Sequence, residues 1–393
     1  MDKGTYTDVL TPGQQTQADP KQRHVVGLDL VRFAAAFAVM AFHYFAWTPL
    51  ARTSTGALVL HGAPASSALA GVSWFGWIGV EIFFVISGFV IAFSAEHASA
   101  ETFARQRILR LAPAAWICAT ITLAVTLLLG LARSDVLAAE YWRAMLFLPF
   151  GPYIDGVYWT LAIEVSFYLL VFLLLLFGRF AWIEHLAAFI GIGSAAFLFI
   201  MSRRPDLMYV LGDTRWFELL LLRHGVFFAM GVFIWAYARH GFSWRRLALF
   251  ALALVAGWRE IAMAAWEFRG GMHIAVSSAI PCAVFTAALA AIVLAIRFNH
   301  VLAKHKRLSG ALRVLGLATY PLYLVHQLNG AALLRLEDAL GVAPLAGAFF
   351  AMAVFVVLAI LIATGPEPAL RRVLKKVLAP IHLPGFDPTP AER

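Results

Sequence analysis

Charge is what this chain has least of. Asp, Glu, Lys and Arg make up 13% of its 393 residues, about half the share usual in a soluble domain. Hydrophobic residues make up 62%, and mean hydropathy is +0.79, which excludes a water-soluble globular fold. Cysteine is scarce as well. Cys118 and Cys282 both fall inside apolar runs, which excludes a disulfide framework and marks them as packing residues. Gly-x-Ser-x-Gly, Walker, His-Glu-x-x-His and Cys-x-x-Cys motifs are all missing. A covalent serine hydrolase, an ATPase and a zinc hydrolase each lack their signature, and no metal or metal ligand is expected. No internal repeat divides the chain.

What is present is a succession of apolar runs near twenty residues long. They are continuous rather than alternating, so they predict helices and not a membrane barrel. The expected fold is all-α, a polytopic transmembrane helical bundle of about ten spans: 27–47, 74–94, 112–132, 157–178, 184–201, 216–237, 247–264, 272–296, 314–334 and 344–364. Basic clusters at Arg105/Arg107/Arg110, Arg245/Arg246, Lys304/Lys306/Arg307 and Arg371/Arg372/Lys375/Lys376 alternate with those spans so that both termini are expected in the cytoplasm. Residues 1–25 are polar, lack a signal-peptide pattern and are expected to form a disordered cytoplasmic tail. Residues 26–366 form one transmembrane domain, and 367–393 a basic cytoplasmic tail. The net charge of +9 is assigned to loops facing anionic lipid, not to nucleic acid.

The first span reads GLDLVRFAAAFAVMAFHYFAW and carries Asp29, Arg32 and His43. A central Asp or Arg costs about 2.5–3.5 kcal/mol on insertion scales, so such groups persist where they face protein, water or a ligand. Arg32 and His43 are eleven residues apart, three helical turns plus about 20°, and share a face some 16 Å apart along the axis, roughly. That stripe suits an elongated ligand.

Helical rise places further ionisable residues at the depth of His43: Glu81 in the second span, Glu164 in the fourth, Arg223 in the sixth, followed by His224, and His326 in the ninth. One polar cavity in the outer half of the membrane is therefore expected. Taken singly, Glu81 or Glu164 could as well pair with Arg223 to fix helix packing, and Tyr320 and Tyr323 could simply hydrogen-bond across helices. His43 is the stronger functional candidate, because imidazole exchanges protons near neutral pH. At the cytoplasmic side, FARQRILRLAP sets Arg107 and Arg110 on one helix face beside Arg105. With Arg32 they suit a nucleotide phosphate, although a basic anchor at the membrane surface explains the cluster equally. The run FLPFGPYIDGVYW either dips into the membrane edge to roof a cavity or forms an aromatic belt with a turn. Trp74, Trp77, Tyr158 and Trp159 could stack sugar rings or belong to such a belt.

These residues carry a resemblance. LDLVRFAAAFAVMAFH with Arg32 and His43, GVEIFFVISGF, Arg107-x-x-Arg110-x-x-Pro113, WTLAIEVSFY around Glu164, and LGLATYPLYLVH ending at His326 occur in that order. Together they resemble the membrane-bound acyltransferase-3 family of bacterial O-acyltransferases, in its stand-alone form without a large extracytoplasmic domain. Two departures stand out: Gln106 separates Arg105 from Arg107, and Val165 follows Glu164 where relatives often have a second acid. The resemblance implies a multi-pass protein of the bacterial inner membrane that transfers an acyl group, typically acetyl from acetyl-CoA, to a glycan or related hydroxyl. It implies that Arg32, Arg105, Arg107 and Arg110 grip the acyl-CoA phosphates. His43 would act as general base or acyl-accepting nucleophile, with Glu81 or Glu164 orienting it and Arg223, Tyr323 and His326 supporting the site. The competing reading is a proton-coupled transporter using the same intramembrane layer. No internal repeat supports it.

Overall fold

A computed structural model describes residues 25–207, 215–275 and 277–379. The expected N-terminal tail through residue 24 and the last part of the C-terminal tail, from 380, lie outside the described residues. All regular structure among the described residues is helical. The main helices are α1 Val26–Phe42, α2 Gly79–Ala95, α3 Ala100–Leu128, α4 Trp159–Leu176, α5 Ile183–Arg203, α6 Gly225–His240, α7 Trp244–Met272, α8 Ala279–Arg297, α9 Lys306–Val325, α10 Gln327–Ala339, α11 Pro344–Thr364 and α12 Pro366–Leu378. Nine helical segments among the described residues are long and apolar enough to cross a membrane. Exposed Leu127, Leu128, Phe189, Phe349, Phe350 and Leu361 give the bundle an apolar exterior, as a multi-pass membrane protein requires.

The sixth expected span, 216–237, departs from a single helix. Arg215–Leu219 forms one short helix, residues 220–224 turn, and α6 begins only at Gly225. Leu221 adopts φ +59° in that turn. At 16 residues, α6 is shorter than a typical span, but Val226 through Ala236 are all buried. A helix apolar on every side finds its solvent inside the protein. Its tightest neighbour is α2, where small residues let the backbones touch. A Cβ on Gly231 would lie 2.0 Å from the Val85 carbonyl oxygen, and one on Gly88 would lie 2.2 Å from that of Phe228. Gly231→Val is therefore expected to cost at least about 1–3 kcal/mol by overpacking. Fluorescence-detected size exclusion should show loss of the monodisperse peak, while Gly193→Val, at a position with nothing within 4 Å, keeps it.

Two irregularities position the site. The helix begun by α1 widens to a π-helix at His43–Trp47, with the Thr48 N–H donating five residues back to the His43 carbonyl. Such insertions are common where function displaces a helix from its ladder. The ninth expected span is likewise broken, α9 ending at Val325 and α10 starting at Gln327. The freed carbonyls are satisfied locally. His326 Nδ1 donates to Leu322 and Tyr323 (3.0 and 2.9 Å), Asn329 Nδ2 to Val325 (3.0 Å), and the Tyr44 hydroxyl to His326 itself (2.8 Å). Buried Asp155 accepts from the N–H groups of Leu328 and Val157 at 3.0 and 3.2 Å, tying the 146–158 run to the break. The Tyr158 hydroxyl donates to Ala115, midway along α3, so this run enters the bundle and α4 starts deep within it.

Candidate active site

The expected single layer resolves into three centres. The first is an arginine-lined cleft among α1, α2, α3, α4 and α9. Its polar lining comprises Arg32, Ser87, Arg107, Arg110, Thr160, Glu164, Tyr168, Thr319, Tyr320 and Tyr323. Arg107 lies over the rings of Phe103 and Tyr168 at 5.4 and 5.8 Å, and Arg110 over Tyr320 at 5.4 Å. Stacking on aromatic faces fixes each guanidinium while leaving its N–H edge free. The buried Arg107 Nε has no hydrogen-bond partner, whereas Arg32 has Asp29 at 3.7 Å. The cleft therefore carries surplus positive charge in a low-dielectric setting, a receptor for an anion.

Arg105 is not part of it. Its guanidinium turns to Glu101 one helical turn earlier at 2.5 Å, as positions 105 and 107 diverge by about 200° around a helix. Glu164 is in the cleft rather than beside His43. It accepts hydrogen bonds from Ser87 (2.6 Å) and Tyr168. Ser87 is six residues beyond Glu81 on α2, about 9 Å along the axis, and the sunken start of α4 accounts for the difference from the expected depth.

The second centre is the histidine pair. His43 is buried with 9% of its surface exposed, and His326 is fully buried. His326 Nε2 lies 3.0 Å from His43 Nδ1, which is also 2.9 Å from the Val39 carbonyl. Carbonyl oxygens only accept, so His326 carries its proton on Nδ1 and presents a lone pair at Nε2. His43 must then donate from Nδ1, which leaves its own Nε2 as the lone-pair nitrogen. Neither Glu81 nor Glu164 orients His43; His326 does. Tyr323 joins this centre to the cleft, its hydroxyl 3.1 Å from Thr160 Oγ1 and its ring centroid 6.1 Å from that of His326 and 5.8 Å from that of Phe83.

Arg223 and Glu81 meet in the third centre, with partners other than those expected. Arg223 Nε bonds Glu260 at 2.7 Å, and its NH2 bonds both Glu267 oxygens at 2.9 and 2.7 Å. Glu81 faces His224, with Oε2 3.4 Å from Nδ1. Glu260 turns inward from α7, while Glu267 follows it two turns later. Ser87, Tyr44, Tyr168 and Asp155 also escaped sequence reasoning, being neutral or placed in a loop. Trp74, Trp77 and Tyr158 are buried and the Trp159 ring lies tilted against His224, with centroids 5.6 Å apart, so they pack the bundle instead of forming an open sugar platform.

The fold and these centres define a multi-pass helical membrane protein with an anion-receptive cleft running toward a paired-histidine site. A family model described as an acyltransferase domain matches residues 25–364, and the chain belongs to the acyltransferase-3 family. It is also similar to Nodulation protein 10 of Rhizobium leguminosarum bv. viciae, at 31% identity over 187 residues, covering 40% of this chain and 47% of that protein. The chain thus spans about half the length of the curated relative it matches. No solved structure gives a significant match.

Proposed function

We propose that the protein is an acyl-CoA-dependent O-acyltransferase of the bacterial inner membrane, transferring an acyl group, with acetyl the first candidate, to a hydroxyl of a glycan or related acceptor. One observation carries this reading. A cleft with three arginines ends at Tyr323, beside the His43–His326 pair. Arg32, Arg107 and Arg110 hold the phosphates of acyl-CoA, and Glu164 limits their mutual repulsion while fixing Ser87 and Tyr168. Arg32 and His43 are about 16 Å apart along the helix, a separation on the scale of a pantetheine arm, so the thioester reaches His43 while the phosphates stay with the arginines.

His43 Nε2 takes the acceptor hydroxyl proton as the oxygen attacks the thioester carbonyl. The carbon–sulfur bond then breaks, and His43 returns the proton to the departing thiolate. During the step the His43 imidazolium keeps its Nδ1–H on His326 Nε2 and the Val39 carbonyl, so the new charge forms against acceptors already in place. In the two-step variant His43 Nε2 attacks the thioester carbonyl and expels CoA as its thiolate. The acceptor oxygen then attacks the acyl-imidazole carbonyl, the carbon–nitrogen bond breaks, and the hydroxyl proton passes through the released His43 Nε2 to the thiolate.

Purified protein in nanodiscs, given isotope-labelled acetyl-CoA and membrane glycan extract, should transfer label to a glycan fraction identifiable by mass spectrometry. Envelope glycans and exported products that are identical with and without the protein, together with no acetyl-CoA turnover in nanodiscs, would sink the reading.

A further inference from the structure

The third centre has a property that neither helix packing nor acyl transfer uses. Glu81 on α2, His224 in the turn before α6 and Glu260 on α7 are all buried, at 4, 3 and 1% exposure. One ligand atom from each lies within 4.8 Å of the others. Glu81 Oε2, Glu260 Oε2 and both ring nitrogens of His224 are buried without a hydrogen-bond partner. Buried polar atoms are nearly always satisfied, and here four unsatisfied ones belong to three residues that meet from three separate elements.

A protonated His224 does not meet the need. An imidazolium must donate from both nitrogens. Nδ1 comes no nearer than 3.4 Å to Glu81 Oε2, outside good hydrogen-bond range, and Nε2 has no acceptor. Charge points the same way. Glu81 and Glu260 are both buried, and Arg223 divides its charge between Glu260 and the more exposed Glu267. Negative charge is therefore left in excess around the imidazole, and a buried excess is expensive. A single divalent cation cancels it.

We propose that Glu81, His224 and Glu260 bind a divalent transition-metal ion that ties α2, α6 and α7 together. The mixed imidazole and carboxylate set suits Zn2+, Mn2+ or Fe2+ rather than Ca2+ or Mg2+. Arg223 completes the design from behind. By holding Glu260 Oε1 it aims Oε2 at the ion, as outer hydrogen bonds to ligating carboxylates do. The rings of Phe84 and Trp159, with centroids 5.3 and 5.6 Å from that of His224, keep the imidazole in place. Positions 81, 224 and 260 are too far apart in sequence to form a metal motif, so the sequence alone gives no sign of the site.

The test uses tag-free full-length protein purified without chelators and analysed by elemental mass spectrometry. Near-stoichiometric Zn, Mn or Fe is expected, with a lower melting temperature after chelation and recovery on adding the metal back. Glu81→Gln and His224→Gln should lose the metal while eluting as monodisperse protein. Should those variants fail to fold, X-ray absorption of the native protein decides, with an imidazole nitrogen and carboxylate oxygens expected in the coordination shell. Three results overturn the proposal: native protein that neither carries metal nor retains Zn2+ or Mn2+ on dialysis, metal kept in both folded variants, and a coordination shell without imidazole. None of these readouts depends on acyl transfer, so failure here leaves the enzymatic reading standing and the converse also holds.

Discussion

His43→Ala is expected to lower acyl transfer by about 10²–10⁴-fold, the range typical of a lost general base, with acyl-CoA affinity nearly unchanged. The separation of effects follows from geometry. His43 is not among the cleft-lining residues, so its removal leaves the phosphate grip intact and acts on turnover. His326→Ala should also act on turnover, and it should shift the pH–rate profile, because the imidazolium on His43 loses the lone pair that receives Nδ1–H at 3.0 Å. A merely structural role for His326, capping the carbonyls of Leu322 and Tyr323, would lower stability without moving that profile. Single-turnover assays without acceptor separate the two chemical routes. Acyl-enzyme that accumulates on His43 selects the acyl-imidazole, and its absence, with transfer only when acceptor is added, selects direct attack. Transfer that survives His43→Ala in purified protein rules out both.

Much of the architecture was legible because lipid makes strong demands. Apolar runs near twenty residues give nine of the described helices that can cross a membrane, and a polar group inside such a run announces a buried partner. The 3.6-residue period put Arg32 and His43 on one stripe, and the helix is regular up to His43, so that inference held geometrically. The failures occurred where a helix stops being ideal. Depth counted from a span's expected end misplaced Glu164, because Asp155 and Tyr158 draw the start of α4 into the bundle. Arg223 and His224 were read as helical, yet they occupy a turn whose Leu221 has positive φ. Pairing was harder still. Depth alone cannot tell Arg223–Glu260 from Arg223–Glu81, since that choice depends on which faces of α2, α6 and α7 meet.

Removing Arg107 and Arg110 together is expected to weaken acyl-CoA binding by about 10²–10⁴-fold. Each charge-assisted hydrogen bond contributes about 1.5–3 kcal/mol, roughly one to two decades in affinity. Arg105→Ala should change affinity by less than about twofold, because a partly exposed i,i+4 pair such as Arg105–Glu101 is worth only a few tenths of a kcal/mol and Arg105 does not line the cleft. Lysine should rescue poorly at 107, where the guanidinium lies over Phe103 and Tyr168 and a compact ammonium has neither the planar face nor the fork. The decisive comparison is a donor lacking the nucleotide. Acyl-pantetheine should bind native protein and the double variant equally weakly, since the arginines then have no phosphate to hold. An equal loss with both donors would mean that the arginines act through the fold of α3 rather than through the phosphates. The full loss with acyl-CoA alone would make the cleft a nucleotide grip, and would make the distance from Arg32 to His43 the length over which the donor is measured.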